Sequence, residues 1–107
     1  MKKIAIVDCG IGNRAAIRNM LKLLGESPSI TCCSKEIENA DIIILPGIGS
    51  YDSFISSLER LHLTNVIKGA ASNSQKTILG ICIGMQALFN HSEEGEQKGL
   101  GLIDGAV

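Results

Sequence analysis

Cys82 stands between two glycines in Gly80-Ile81-Cys82-Ile83-Gly84, after the apolar run Thr77-Ile78-Leu79 and before Met85-Gln86-Ala87-Leu88-Phe89-Asn90. A strand that turns sharply into a helix through Gly-x-nucleophile-x-Gly is a nucleophile elbow, best known with serine. The glycines remove side chains that would collide where strand and helix meet, so the central residue can be held strained and exposed. The thiolate is the reactive form of cysteine, and a helix N-terminus favours it. The spacing predicts a cysteine nucleophile for acyl transfer, with the Ile83 N–H aimed at the oxyanion. The same glycines would also suit tight packing around an inert buried thiol.

Two further glycine-rich segments follow strands. The Pro46-Gly47-Ile48-Gly49 loop can supply a second oxyanion donor from the neighbouring strand, which strengthens the catalytic reading of Cys82. Gly10-Ile11-Gly12-Asn13-Arg14-Ala15 matches the dinucleotide fingerprint G-x-G-x-x-A. That rival needs an acidic residue at the end of the second strand, where Cys33-Ser34-Lys35 stands and Glu36 arrives late. It also leaves Cys82 and the Pro46–Gly49 loop without a role. The histidines do not complete the site. His62 falls in a polar break, and a helix running from Gly84 to His91 would put His91 about 10 Å along the axis from Cys82. A cysteine–base hydrogen bond needs about 3 Å.

The elements that must position these residues alternate. Lys3 to Asp8 reads as a strand, and Asn13 to Leu24 as a helix with apolar Ala16, Ile17, Met20, Leu21, Leu23 and Leu24. Arg14, Arg18 and Lys22 recur on its opposite face and Gly25 stops it. Strands follow at Ser29 to Cys33 and Asp41 to Leu45, with a short polar link of about one helical turn at Glu36 to Asn39. Tyr51 to Ser72 is helical with a break near His62 to Thr64, and its stripe is Phe54, Ile55, Leu58, Leu61, Val66 and Ile67. Thr77 to Ile81 is the fourth strand. Ser92 to Lys98 is polar, and Gly99 to Ile103 can begin another strand. Such alternation predicts right-handed βαβ units on a mostly parallel sheet buried on both faces. Ligands of such sheets bind beyond the carboxyl ends of the strands, where Cys9–Asn13, Pro46–Ser50 and Cys82–Gln86 all fall.

Composition narrows the function. The 107 residues make one domain at most, 45% apolar and 20% charged, with a net charge of −1. Aromatics are 3% and no basic stripe occurs, so base stacking and phosphate neutralisation are not expected; no nucleic-acid partner is predicted. The apolar runs are too short for a membrane span, and Met1-Lys2-Lys3-Ile4 enters a strand with no leader pattern, so a cytoplasmic location is expected. Cys9, Cys32, Cys33 and Cys82 lack metal-ligand spacing, so neither a metal nor a cofactor is expected. Cys32 and Cys33 lie in an apolar segment and are expected to be buried small hydrophobes.

Taken in order, Ile6-Val7-Asp8-Cys9-Gly10-Ile11-Gly12-Asn13, Leu45-Pro46-Gly47-Ile48-Gly49-Ser50, Gly80 to Gln86, and Ser92-Glu93-Glu94-Gly95 with Gly99 to Gly105 resemble the class I, triad-type glutamine amidotransferases. More closely, they resemble the branch that serves as glutaminase subunits of imidazole glycerol phosphate synthase in histidine biosynthesis. The resemblance implies a flavodoxin-like α/β/α fold and hydrolysis of glutamine to glutamate, with ammonia passed to a (β/α)₈-barrel cyclase. Cys82 would form a γ-glutamyl thioester, with Ile83, Gly47 and Ile48 as the oxyanion hole. Gly49 and Gln86 would hold glutamine, and Gly10, Ile11, Gly12 and Asn13 would face the partner.

The family's catalytic histidine and its acidic companion belong to a C-terminal half. Residues 1–107 are therefore expected to form the N-terminal part of a single amidotransferase domain, nearly inactive alone, with an open sheet edge that favours self-association. The family usually has an aromatic residue where Cys9 stands and a different run at Arg14-Ala15-Ala16. A paralogue feeding another amidotransfer, such as one in surface-sugar synthesis, thus stays open. So do another Cys-elbow hydrolase or chaperone-like protein, and a non-catalytic dinucleotide-binding or interaction fragment.

Overall fold

The computed structural model describes residues 2–7, 14–47 and 50–107. Ile4–Val7 (β1), Ser29–Thr31 (β2), Ile42–Gly47 (β3) and Thr77–Cys82 (β4) form a parallel sheet in the order β2-β1-β3-β4. The helices are Arg14–Leu23 (α1), Ser34–Asn39 (α2), Tyr51–Arg60 (α3), Thr64–Ala71 (α4) and Ile83–Gln86 (α5). Phe89–His91 (β5) and Ile103–Ala106 (β6) make a separate parallel pair.

Alternation along the strands explains the layers. Ala5, Val7, Ile43 and Leu45 share a core with Ile37, Phe54, Ile55, Leu58 and Ile67 from α2, α3 and α4. Ile4, Ile6 and Ile44 point the other way and pack with Ile17 and Leu21 of α1. Successive residues of one strand must serve both layers, so the central strands read as unbroken apolar runs. β4 departs from the expected two-sided burial. Among the described residues it is one of the two edge strands, and Leu79 is 50% exposed.

Most elements lie where the sequence put them, and the differences have local causes. β3 runs two residues past the expected end, because Pro46 and Gly47 stay in register with Ile81 and Cys82. The expected single helical turn before β3 is the six-residue α2. The helix expected over residues 84–91 is instead α5 followed by β5. Its continuation is lost because Ala87, Leu88 and Phe89 give their carbonyls to the N–H groups of Leu100, Leu102, Ile103 and Gly101. The strand expected from Gly99 accordingly begins only at Ile103.

Cys32 and Cys33 are also corrected: both are exposed. β2 ends at Thr31, whose hydroxyl accepts the Cys33 N–H at 2.9 Å and turns the chain out of the sheet. On α1, Arg18 is half-buried rather than on the solvent face. Among the described residues no helix is long and apolar enough to cross a membrane.

Two helices end with the same hydrogen-bond pattern but different residues. After α1, Gly25 (φ 90°) lets its own N–H reach Lys22 O at 3.0 Å and that of Glu26 reach Leu21 O at 2.9 Å. After α3, the N–H of His62 reaches Glu59 O at 3.0 Å and that of Leu63 reaches Leu58 O at 2.9 Å. This double bond is the Schellman stop, whose left-handed residue is usually glycine. His62 adopts φ 58° despite its Cβ, held there by burial of Leu58 and Leu63. His62→Gly is expected to raise the unfolding free energy by about 0.5–1 kcal/mol in urea titration. A loss of stability would show that the imidazole makes a compensating contact.

Candidate active site

β4 delivers Cys82 at its carboxyl end, directly opposite Gly47 of β3. The backbone there is strained: Cys82 has φ 56° and ψ −118°. Such a conformation costs a non-glycine residue on the order of 1–3 kcal/mol unless the surroundings impose it. The surroundings do impose it. α5 presses so closely on β3 that a Cβ at Gly84 would fall 1.8 Å from the Leu45 carbonyl oxygen. A Cβ at Gly47 would meet two ring carbons of Phe54 at 2.9 Å and Gly84 N at 3.2 Å. With strand and helix backbones this close, the chain must reverse within the single residue Cys82.

The result is an exposed thiol on the open rim of the sheet. Ile83 opens α5, and the amide of a first helical residue has no intrahelical carbonyl to satisfy it. An exposed sulfur beside the first N–H of a helix is the pairing that attack on a carbonyl requires. Gln86 completes α5 half-buried, with its Oε1 accepting the Ser92 hydroxyl at 2.8 Å; that hydroxyl in turn accepts the Glu94 N–H at 3.1 Å. The bond fixes the orientation of the Gln86 amide.

Of the residues expected at the site, Cys82, Ile83, Gly47 and Gln86 gather around the β3–β4–α5 junction. Ile48, Gly49, Cys9, Gly10, Ile11, Gly12 and Asn13 lie outside the described residues. His62 sits at the α3–α4 turn and His91 on β5, not at the end of a long elbow helix. Among the described residues no hydrogen bond joins either histidine to Cys82, and no three His, Cys, Asp or Glu side chains converge as metal ligands.

Sequence reasoning missed the residues that secure the segment after the elbow. The Asp52 carboxylate, in the first turn of α3, accepts the Glu96 N–H at 3.0 Å and the Gln97 N–H at 2.9 Å. The Gln97 side-chain amide donates to the Asp52 carbonyl at 3.2 Å and to the Ser56 hydroxyl. An acidic residue in a first helical turn normally reads as a partner of the helix dipole. Nothing near Asp52 in sequence points to a loop more than forty positions later. Tyr51 beside it is fully buried, and its hydroxyl has no partner among the described residues. Burial, with the charge of Asp52 adding to it, pushes the Tyr51 phenol above the ordinary tyrosine range.

Known proteins resemble this chain along its length. The family model described as glutamine amidotransferase class-I matches residues 5–98. The protein named imidazole glycerol phosphate synthase subunit HisH from Microcystis aeruginosa is 43% identical over 107 residues, 100% of this chain and 50% of that protein. The protein of the same name from Nostoc punctiforme is 44% identical over the same shares. Its namesake from Staphylococcus aureus strain N315 is 39% identical over 97% of this chain and 53% of that protein. A solved structure described as the crystal structure of glutamine amidotransferase matches with a TM-score of 0.83 at 17% identity, over 96% of this chain and 54% of that one, a likeness of fold. The chain thus spans about half the length of the curated relatives it matches.

The elbow geometry predicts opposite effects for two small substitutions. Cys82→Gly relieves the strained φ and is expected to stabilise the fold by about 1 kcal/mol. Gly84→Ala drives a methyl into the Leu45 carbonyl and is expected to cost about 3 kcal/mol or more. Thermal or urea unfolding of the two variants checks both, and a stable Gly84→Ala protein would mean that α5 does not press on β3.

Proposed function

This chain belongs to the class-I glutamine amidotransferase family, and we propose that it supplies the nucleophile-bearing part of a glutaminase that feeds ammonia to imidazole glycerol phosphate synthase. The observation that carries this reading is Cys82 at φ 56°, opposite Gly47 and immediately before Ile83, the first residue of α5. The Cys82 sulfur attacks the side-chain carboxamide carbon of glutamine. The Ile83 N–H and the Gly47–Ile48 backbone stabilise the oxyanion. Collapse of the intermediate expels the amide nitrogen, which takes up a proton to leave as ammonia, and leaves a γ-glutamyl thioester. Water then cleaves the C–S bond, giving glutamate and returning the thiol. Gln86, oriented by Ser92, and Gly49 hold the substrate. The Gly10–Asn13 segment faces a (β/α)₈-barrel cyclase, and the complex works in the cytoplasm.

The activating base is assigned to the further length that the relatives carry, since neither histidine of this chain hydrogen-bonds to Cys82. A general base contributes roughly a hundredfold to ten-thousandfold. Residues 1–107 alone are therefore expected to hydrolyse glutamine only marginally, yet to be alkylated at Cys82 by a glutamine analogue carrying a diazoketone in place of the carboxamide. Peptide mapping should locate the adduct on Cys82, with free glutamine protecting it. Labelling confined to Cys32 and Cys33 would overturn the glutamine site. Robust hydrolysis by this chain, lost in Cys82→Ser, would overturn the assignment of the base.

The outer edge of β4 also supports pairing between copies of the chain, because a strand edge unpaired among the described residues, with a half-exposed Leu79, is a template for another strand. Light scattering is expected to give a mass that rises with concentration and falls back in Leu79→Lys. A monomer at every concentration would remove this part of the proposal.

A further inference from the structure

Asp52 gives its carboxylate to backbone amides 44 and 45 positions further along the chain. Oδ1 accepts the N–H groups of Glu96 at 3.0 Å and Gln97 at 2.9 Å, and Oδ2 lies 3.1 Å from the Glu96 nitrogen. α3 does not need this carboxylate as its cap, because the Ser50 hydroxyl already accepts the Ser53 N–H at 3.3 Å. A carboxylate that only complements a helix dipole needs no fixed donors. The contact is also close. A Cβ at Gly95 would fall 2.4 Å from Asp52 Oδ1 and 2.8 Å from Tyr51 Cδ2.

The two sides of this contact border different parts of the proposed glutamine site. α3 begins at Tyr51, directly after the Pro46–Ser50 segment that contains Gly47 and Gly49. The other side is the tip of a turn that starts at Ser92. There the Glu94 N–H reaches Ser92 Oγ at 3.1 Å and the Gly95 N–H reaches the Ser92 carbonyl at 3.3 Å. Ser92 is buried, and its hydroxyl donates to Gln86 Oε1 at 2.8 Å. The base of the turn has its own fastenings: the Glu93 N–H on the Val107 carbonyl at 2.7 Å and the Gly99 N–H on the Asn90 carbonyl at 2.8 Å. Loss of the Asp52 carboxylate therefore frees the tip without unpairing β5 and β6. The elbow is independent as well. Its strain comes from Gly84 against the Leu45 carbonyl, a contact in which Asp52 takes no part.

We propose that Asp52 is a positioning residue for glutamine, joining the substrate-holding segment before α3 to the turn that pins Gln86. The inference rests on the glutaminase reading above and gives Asp52 no contact with the substrate. Its carboxylate fixes the spacing of two elements that must grip one small molecule together. Misplacement of such elements by about 1 Å can cost about a hundredfold. Hydrogen bonds to an ionised acceptor are the stronger kind, so this tether is suited to hold that spacing. The effect falls on recognition of glutamine-shaped reagents and spares the reactivity of the thiol itself.

The test follows alkylation of Cys82, by peptide mapping, with two reagents: the diazoketone analogue of glutamine, and iodoacetamide, which needs no glutamine site. Asp52→Ala is expected to raise the half-saturating concentration of the diazoketone about tenfold or more, with its maximal rate and the iodoacetamide rate within about twofold. Asp52→Asn keeps an acceptor oxygen for the Glu96 and Gln97 amides and should recover most of the loss. Gly95→Ala drives a methyl into the Asp52 carboxylate from the turn side and should weaken the diazoketone in the same way. The result thus does not hang on one variant, and circular dichroism checks the folding of each. Unchanged half-saturation in Asp52→Ala, an equal loss with iodoacetamide, or no recovery in Asp52→Asn overturns the inference. Labelling of the unaltered chain that neither saturates nor is blocked by glutamine overturns the glutaminase reading, and this inference with it.

Discussion

The close approach of Gly84 to the Leu45 carbonyl governs the rest of the rim. Leu45 belongs to β3, which pairs on both sides and is buried. Its carbonyl is therefore a fixed wall rather than a group that can give way. α5 can lie against that wall only where it has no Cβ, and a helix so placed leaves β4 one residue in which to turn. The positive φ of Cys82 is the geometric consequence. Phe54 adds a second clamp, since its ring fills the space that a side chain at Gly47 would need. The strain at Cys82 is thus sustained by the buried core beneath it, through β3 and α3.

A second layer of constraint runs outside the sheet. Asp52 ties the Glu96 and Gln97 amides to the start of α3, and Ser92 ties the Glu94 amide to Gln86 of α5. The polar segment after the elbow is consequently fastened to both helices that border Gly47. A carboxylate that accepts two backbone N–H groups is a stronger anchor than a neutral acceptor, because charge-assisted hydrogen bonds are roughly twice as strong. The same segment sends the Leu100–Ile103 amides onto the Ala87–Phe89 carbonyls, ending α5 after Gln86. The brevity of α5 and the fastening of the loop are two results of one set of tertiary hydrogen bonds.

This explains which parts of the architecture were legible beforehand. The parallel strands and α3 with its break at His62 are written in apolar runs and helical periods, which report burial directly. The elbow is written in glycine spacing, which reports close approach. The switch from α5 to β5 has no such local signature: Ala87, Leu88 and Phe89 suit a helix, and only carbonyl partners a dozen residues later decide otherwise. Cys32 and Cys33 misled for a related reason. They follow Ile30 in the expected strand, but the Thr31 hydroxyl ends that strand before burial reaches them. At the candidate site, Cys82, Ile83 and Gly47 are marked in the sequence by glycine spacing, and Gln86 only by the family resemblance. Asp52 is not marked, because its partners are distant in sequence and are backbone amides that carry no residue-type signal.

The exposed thiols on this rim differ in what the fold asks of them. Cys33 rests in ordinary extended backbone, φ −79° and ψ 119°, and its neighbours would tolerate many residues there. Cys82 sits where glycine would be more comfortable, so stability alone would not select a side chain at that position. A strained non-glycine residue persists when what its side chain does outweighs what its backbone costs, and the inference from strain to role runs in that direction. By that criterion Cys82 is the thiol that the core is organised to present. Cys33, carried on relaxed backbone, is presented at no such cost.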